Sequence, residues 1–293
     1  MPLTLLQAVI LGIVQGATEF IPVSSSAHLI VIPWLFGWND PALTSLPFDV
    51  ALHLGTLVAV LAFFASDWVK LARAWAGSIK ERKIGGDPDR LLAWLVLIGT
   101  LPGAAAGVLA ESKVEQLFHQ PGTPIQPAAM LVVAAVIAGL GGVLLLSDRL
   151  ARHVQNLGQL RLKEACIIGL AQALAVFPGV SRSGSTITAG LALGLKRDAA
   201  AKFSFLLSAP IIAGASLKSL SEVAAGLPGG SVARGDLILF AAGVVAAAAS
   251  GYACIRFMMT YLRQHRVDVF VYYRWGLALL IASLALVAIT SQR

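Results

Sequence analysis

The sequence predicts an all-α polytopic membrane protein with six transmembrane helices plus two re-entrant helical hairpins in an inverted-topology repeat. Three observations predict it. Of 293 residues, 57% are hydrophobic and 13% charged, and the mean hydropathy is +0.80. A soluble domain is about 25% charged, and a globule of this length lacks the interior to hide so much apolar surface. Six stretches reach the roughly 20 residues that a helix needs to cross a bilayer. Two further apolar regions are split by Pro/Gly/Ser breaks into halves too short to span. Lipid is therefore the solvent for most of the chain, which excludes disorder, coiled coil and a secreted disulfide scaffold. Cys166 and Cys254 both sit in apolar runs and read as small core residues.

The chain reads as a single membrane domain, 1–293, built from two halves, 1–150 and 151–293. The first half opens with a hairpin over 3–36. An apolar run, Leu3–Val14, is followed by polar GATEFIPVSSSAH and then by Leu29–Trp38. Spans follow at 46–66, 90–110 and 126–147. Between the first two lies Asp67–Lys83, a basic, partly amphipathic surface stretch. The second half repeats the plan. Its hairpin, 164–195, reads CIIGLAQALAVF, PGVSRSGST, ITAGLALGL. Spans follow at 198–220, 236–257 and 271–290. The first of these carries Lys202, expected to snorkel, and Pro210. Irregular backbone at membrane depth is tolerated only where protein or a wet cavity surrounds it. At an offset of 157, Gly12, Gln15, Phe20, Val23, Ser24 and Ser26 match Gly169, Gln172, Phe177, Val180, Ser181 and Ser183. Three spans per half make the halves opposite in orientation, and broken helices of such repeats meet near the midplane to form a site.

Charge orients the chain. Lys70 is the first basic residue, so no signal peptide is expected. The stretches 67–90, 148–163, 196–202 and 256–274 together hold seventeen Lys and Arg. The other side has four, Lys113, Lys218, Arg234 and Arg293. The positive-inside rule puts the first set in the cytoplasm and both termini outside. The net charge of +7 thus reflects cytoplasmic loops, and no nucleic-acid partner is expected. Trp34, Trp38, Tyr272, Tyr273 and Trp275 suit an interfacial belt.

Glu19 is the only formally charged residue before Asn39. A lone intramembrane carboxylate is expensive and by default functional. Gln15, four residues earlier, shares its helical face. Ser24, Ser25, Ser26 and His28 follow, and the second break supplies Ser181, Arg182, Ser183 and Thr186. Short helices starting near Ser25 and Ser183 would aim free N–H groups at an anion. Arg182 suits a phosphate held bidentately. Glu19 would repel that phosphate unless a hard cation, Mg²⁺ or Ca²⁺, lay between them. The expected ligand is a phosphate or diphosphate with such a metal. GVSRSGST, Gly179–Thr186, has the glycine spacing of a nucleotide loop but Ser185 in place of its lysine and no preceding strand. Asp49 and His53 share a helical face, as a structural pair or as substrate contacts. Gln172 is expected to bond unwound backbone.

GIVQGATEFIPVSSSAH at 12–28 and PGVSRSGST at 178–186 resemble the two signature motifs of the undecaprenyl-diphosphate phosphatase family, the bacitracin-resistance proteins. The resemblance covers the whole chain, including FDVALHLGT at 48–56. It implies hydrolysis of the prenyl diphosphate carrier to the monophosphate at the outer face of the bacterial cytoplasmic membrane. The carrier is then reused for peptidoglycan, and bacitracin resistance follows. Glu19, His28, Ser25 and Arg182 take the catalytic positions. Ser24, Ser26, Ser181, Ser183 and Thr186 take the phosphate-binding ones. Glu19 and Gln15 take the metal positions, although Gln15 stands where some members have Glu. The nucleophile stays open among His28, Ser25 activated by His28, and a metal-bound water. A homodimer is left open. The alternative is a flippase for the same carrier lipid, since inverted repeats with broken helices are transporter architecture.

Overall fold

The computed structural model describes residues 2–118, 126–224 and 236–291. Arg234, Arg293 and the side chain of Lys113 lie outside the described residues. Among those described, the regular structure is helical apart from one bridge between Gln155 and Leu195. The order is α1 Pro2–Phe20, α2 Ser25–Phe36, α3 Leu46–Phe63, α4 Ala65–Lys80, α5 Pro88–Phe118, α6 Pro127–Leu150, α7 Leu162–Ala173, α8 Arg182–Ala192, α9 Arg197–Ala224, α10 Leu237–Tyr261 and α11 Asp268–Ser291.

Seven of the described helices are long and apolar enough to cross a bilayer: α1, α3, α5, α6, α9, α10 and α11. The extra one is α1. The sequence places a break from Gly16 onward, yet the helix runs 19 residues to Phe20. Polar side chains do not by themselves end a helix, and nothing in Gly16–Glu19 obstructs its backbone. The stop is Pro22, which disfavours helical geometry in the residue before it. The arms α2, α7 and α8 are short, at 12, 12 and 11 residues.

Both breaks end in an N-capped helix. Ser24 adopts φ 74° and its hydroxyl accepts from the Ala27 N–H at 3.4 Å. In the second break Gly179 takes φ 92°, a left-handed value that glycine adopts freely. Ser181 then caps α8 by accepting from the Gly184 N–H at 3.0 Å.

Small residues bring the long helices together. A Cβ on Gly12 would overlap the carbonyl oxygen of Gly243, so α1 lies directly on α10. A Cβ on Gly169 would overlap the carbonyl oxygen of Gly99, so α7 lies directly on α5. Such contact is how helices associate in lipid, where apolar burial gives no drive. The main core centres on α9, with Phe203, Phe205 and Leu206 fully buried against Ile255, Met258 and Leu95. A second cluster joins Ala27 and Ile30 of α2 to Ile137 of α6 and Ile281 of α11. A third joins Leu11, Leu29 and Leu52. Outward-facing Leu279, Val245 and Val132 remain exposed, as lipid contact requires.

Ion pairs gather at the basic end of the bundle. Lys202 Nζ meets Asp67 Oδ1 at 2.7 Å and lies over the Phe64 ring, so it is paired as well as stretched toward the surface. Arg197 binds the buried Asp148 at 2.5 Å, Arg149 meets Asp268 at 3.3 Å, and Arg90 closes the α4–α5 turn on Glu81 at 2.7 Å. Arg274 does not belong with these loop charges. It is 1% exposed within α11.

Candidate active site

Glu19 ends α1 and is buried. Its carboxylate draws donors from three elements. Oε2 accepts from Gln15 Nε2 at 3.0 Å, one turn earlier, and from Ser25 Oγ at 2.6 Å, in the first turn of α2. His53 of α3 brings Nε2 within 3.5 Å of the same oxygen. Oε1 accepts from Arg182 Nη2, in the first turn of α8. The two breaks are thus joined by an ion pair with one partner from each half.

These groups line a cavity of about 180 Å³. Glu19, Ser25, Ser26, His53, Ser181 and Arg182 give its lining polar groups, and Gly103, Ala175, Val176 and Ile211 give it apolar surface. The N-termini of α2 and α8 begin at Ser25 and Arg182, two of those polar groups. A buried concave site with a guanidinium, hydroxyls and two helix N-termini suits an anion of phosphate size, with an apolar group beside it.

The other predicted residues stand behind this cavity. Ser24 Oγ lies 3.2 Å from Ser26 Oγ. Ser183 lies 3.1 Å from Ser181, and its hydroxyl donates to the Ile21 carbonyl at 3.0 Å, tying the second break to the first. Thr186 turns toward α9, 2.6 Å from Ser204 Oγ. Gln15 reaches the site only through Glu19.

His28 is not among the lining residues. Its Nδ1 lies 2.6 Å from the Ser24 carbonyl oxygen. A carbonyl can only accept, so Nδ1 carries the hydrogen. Nε2 then accepts from the Tyr273 hydroxyl at 2.7 Å. Both ring nitrogens are engaged away from Glu19 and Ser25. His53 is the histidine at the cavity. Its Nδ1 donates to the Asp49 backbone carbonyl at 2.7 Å, which turns Nε2 toward Glu19. In sequence the two histidines look alike, because the partner that separates their roles lies on another helix.

Arg274 was missed as a site element. Its guanidinium donates to the carbonyls of Pro22 at 3.0 Å, Gly179 at 3.2 Å and Ile137 at 2.9 Å. It therefore pins both breaks to α6. An arginine within an apolar run was the available signal. Gln172, expected to bond backbone, lines the cavity instead, and its amide atoms have no hydrogen-bond partner among the described residues.

For a cation, the cavity lining offers one carboxylate, Glu19, with the buried Oε1 of Gln15, which has no partner among the described residues, one turn behind it. No group of three or more His, Cys, Asp or Glu converges among those residues. This donor set fits a hard cation that takes most of its ligands from phosphate oxygens, the usual situation of Mg²⁺.

The family model described as bacitracin resistance protein BacA matches residues 8–280. An undecaprenyl-diphosphatase of Thermomicrobium roseum is 47% identical over 277 residues, covering 94% of this chain and 96% of that one. One from Moorella thermoacetica is 44% identical over 281 residues, covering 96% and 98%. One from Rubrobacter xylanophilus is 44% identical over 284 residues, covering 97% and 99%.

Proposed function

This chain belongs to the BacA bacitracin-resistance family, and on that premise we propose how its cavity works. The chain is a membrane-embedded phosphatase that hydrolyses undecaprenyl diphosphate to undecaprenyl phosphate and inorganic phosphate. Its product returns to peptidoglycan synthesis, and its activity underlies bacitracin resistance. The observation that carries the site assignment is the Ser25–Glu19–Arg182 constellation lining the cavity.

The terminal phosphate binds Arg182, Ser181, Ser26 and the N–H groups that open α2 and α8. Ser25 is the nucleophile. Its hydroxyl already donates to Glu19, which takes the proton as Oγ attacks the terminal phosphorus. The bond to the bridging oxygen breaks, and the prenyl monophosphate leaves with the electron pair. Glu19, having released its proton to solvent, deprotonates a water that hydrolyses the phosphoserine. Serine and inorganic phosphate are regenerated. Arg182 and the helix N-termini meet the charge that grows on the phosphoryl oxygens. A divalent cation held by Glu19 and Gln15 Oε1 would offset diphosphate charge. His28 holds the left-handed turn at Ser24 and so aims Ser25.

The cavity faces the outer side of the bacterial cytoplasmic membrane, and both termini lie there. The basic end with its ion pairs is cytoplasmic. The two halves form an inverted repeat. Support comes from α1 on α10 and α7 on α5, each contact needing the glycine of one matched pair, Gly12 and Gly169. The test is phosphate release from undecaprenyl diphosphate by purified protein in detergent, with no membrane to cross. Release separates an enzyme from a lipid translocator. Its absence from well-folded protein removes the phosphatase reading.

A further inference from the structure

Gln172 lines the same cavity, beside Gly103, whose other near neighbour is Ile211. It is 2% exposed, and neither its Nε2 nor its Oε1 meets a hydrogen-bond partner among the described residues. Buried amides are ordinarily satisfied, and each exception calls for a reason. Room has been left beside it. A Cβ on Gly103 would stand 3.2 Å from both Cγ and Nε2 of Gln172.

The position says what the amide is for. The cavity lining holds Arg182, Ser181 and Ser25, which suit the terminal phosphate. The apolar surface of Gly103, Ala175, Val176 and Ile211 suits a hydrocarbon chain. A polar side chain that lines the cavity beside Gly103 and Ile211 can meet the phosphate that stays on the prenyl chain. We propose that Gln172 binds this proximal phosphate and stabilises it as the leaving group. The proposal rests on the phosphatase reading above. When the terminal phosphorus parts from the bridging oxygen, the electron pair stays on that oxygen and the proximal phosphate gains negative charge. The Nε2 hydrogens donate to it. A donor aimed where charge develops favours the transition state over the ground state. The same contact favours the lipid monophosphate over free phosphate as a ligand.

The experiment compares wild type with Gln172→Met in detergent, using farnesyl diphosphate as substrate and farnesyl monophosphate and inorganic phosphate as inhibitors. Losing one hydrogen bond to a charged group is expected to lower kcat about 10- to 100-fold. Inhibition by farnesyl monophosphate weakens about tenfold, while inhibition by inorganic phosphate is unchanged. The melting temperature holds or rises, because an unpaired buried amide has been removed. Wild-type rates and unchanged monophosphate inhibition in the variant would overturn the proposal. So would a lower melting temperature with equal loss for all three ligands, which marks a structural role. Should Gln172→Met not fold, Gln172→Glu decides. Its carboxylate repels the monophosphate and leaves inorganic phosphate inhibition nearer to wild type, and normal monophosphate inhibition overturns the proposal. A wild type that releases no phosphate fails the phosphatase reading, whereas an active wild type with a silent variant fails Gln172 alone.

Discussion

His28 and Tyr273 face each other ring on ring, 5.7 Å apart and 12° from parallel, with Nε2 taking the tyrosine hydroxyl at 2.7 Å. With Nδ1 committed to the Ser24 carbonyl, this histidine has no nitrogen to offer a phosphorus atom. Rapid quenching with labelled diphosphate is expected to trap phosphoserine at Ser25. Label on His28 would reverse the assignment. Tyr273→Phe removes one neutral hydrogen bond, worth about 1 kcal/mol, so turnover should fall less than tenfold.

Glu19 and Arg182 depend on each other. Glu19→Ala and Arg182→Ala should each lower phosphate release at least about 10²-fold, as loss of a general base or of an oxyanion-stabilising group does, with helical content unchanged. The double variant should be little worse than either single one, because each loss already disables the same pair. Near-normal release from either single variant sinks the site.

Cation dependence should track position 15. Chelator is expected to stop phosphate release, and added Mg²⁺ or Ca²⁺ to restore it. Gln15→Glu supplies a second carboxylate and should lower the half-saturating metal concentration about tenfold. Gln15→Leu should raise it by a similar factor. A half-saturating concentration that ignores both changes removes Gln15 from the metal site.

Arg274 acts on the frame that holds the chemistry. Arg274→Met leaves the Pro22 and Gly179 carbonyls buried without their donor. A loss of about 3 kcal/mol is expected from two such orphans, read as a melting shift of about 6–12 °C in detergent. Arg274→Lys should fall between, since an ammonium cannot span three carbonyls in a fixed plane. Equal melting of Arg274→Met and wild type would refute this account.

Much of the fold was legible in the sequence because lipid imposes a simple grammar. Apolar runs of sufficient length became α3, α5, α6, α9, α10 and α11, and the chain breaks between α7 and α8 where PGV predicts it. The length of α1 was not legible. Gln15 and Glu19 read as the start of a polar loop, whereas Glu19 accepts sideways from Ser25 and Arg182, on two other helices. The same non-locality left His53 open between a structural pair and a substrate contact, because the carboxylate its ring approaches lies on another helix. Arg274 was concealed by interfacial aromatics on both sides, which made it resemble a loop charge. Glu19 and Arg182 were legible because a charge among apolar residues stands out.

The contact of Gly12 with α10 sets an order for biogenesis. Helix α1 is shaped for a helix far along the chain. Until α10 has been inserted, the glycine face of α1 has no surface to close on, and long-range contacts of this kind form late. The packing partner of α1 is therefore absent from any chain that lacks α10. A stalled or truncated product lacking α10 carries all of Glu19, Ser25 and Arg182 and still lacks the packing that aligns them. The glycine face of α1 closes only once α10 is in the membrane beside it.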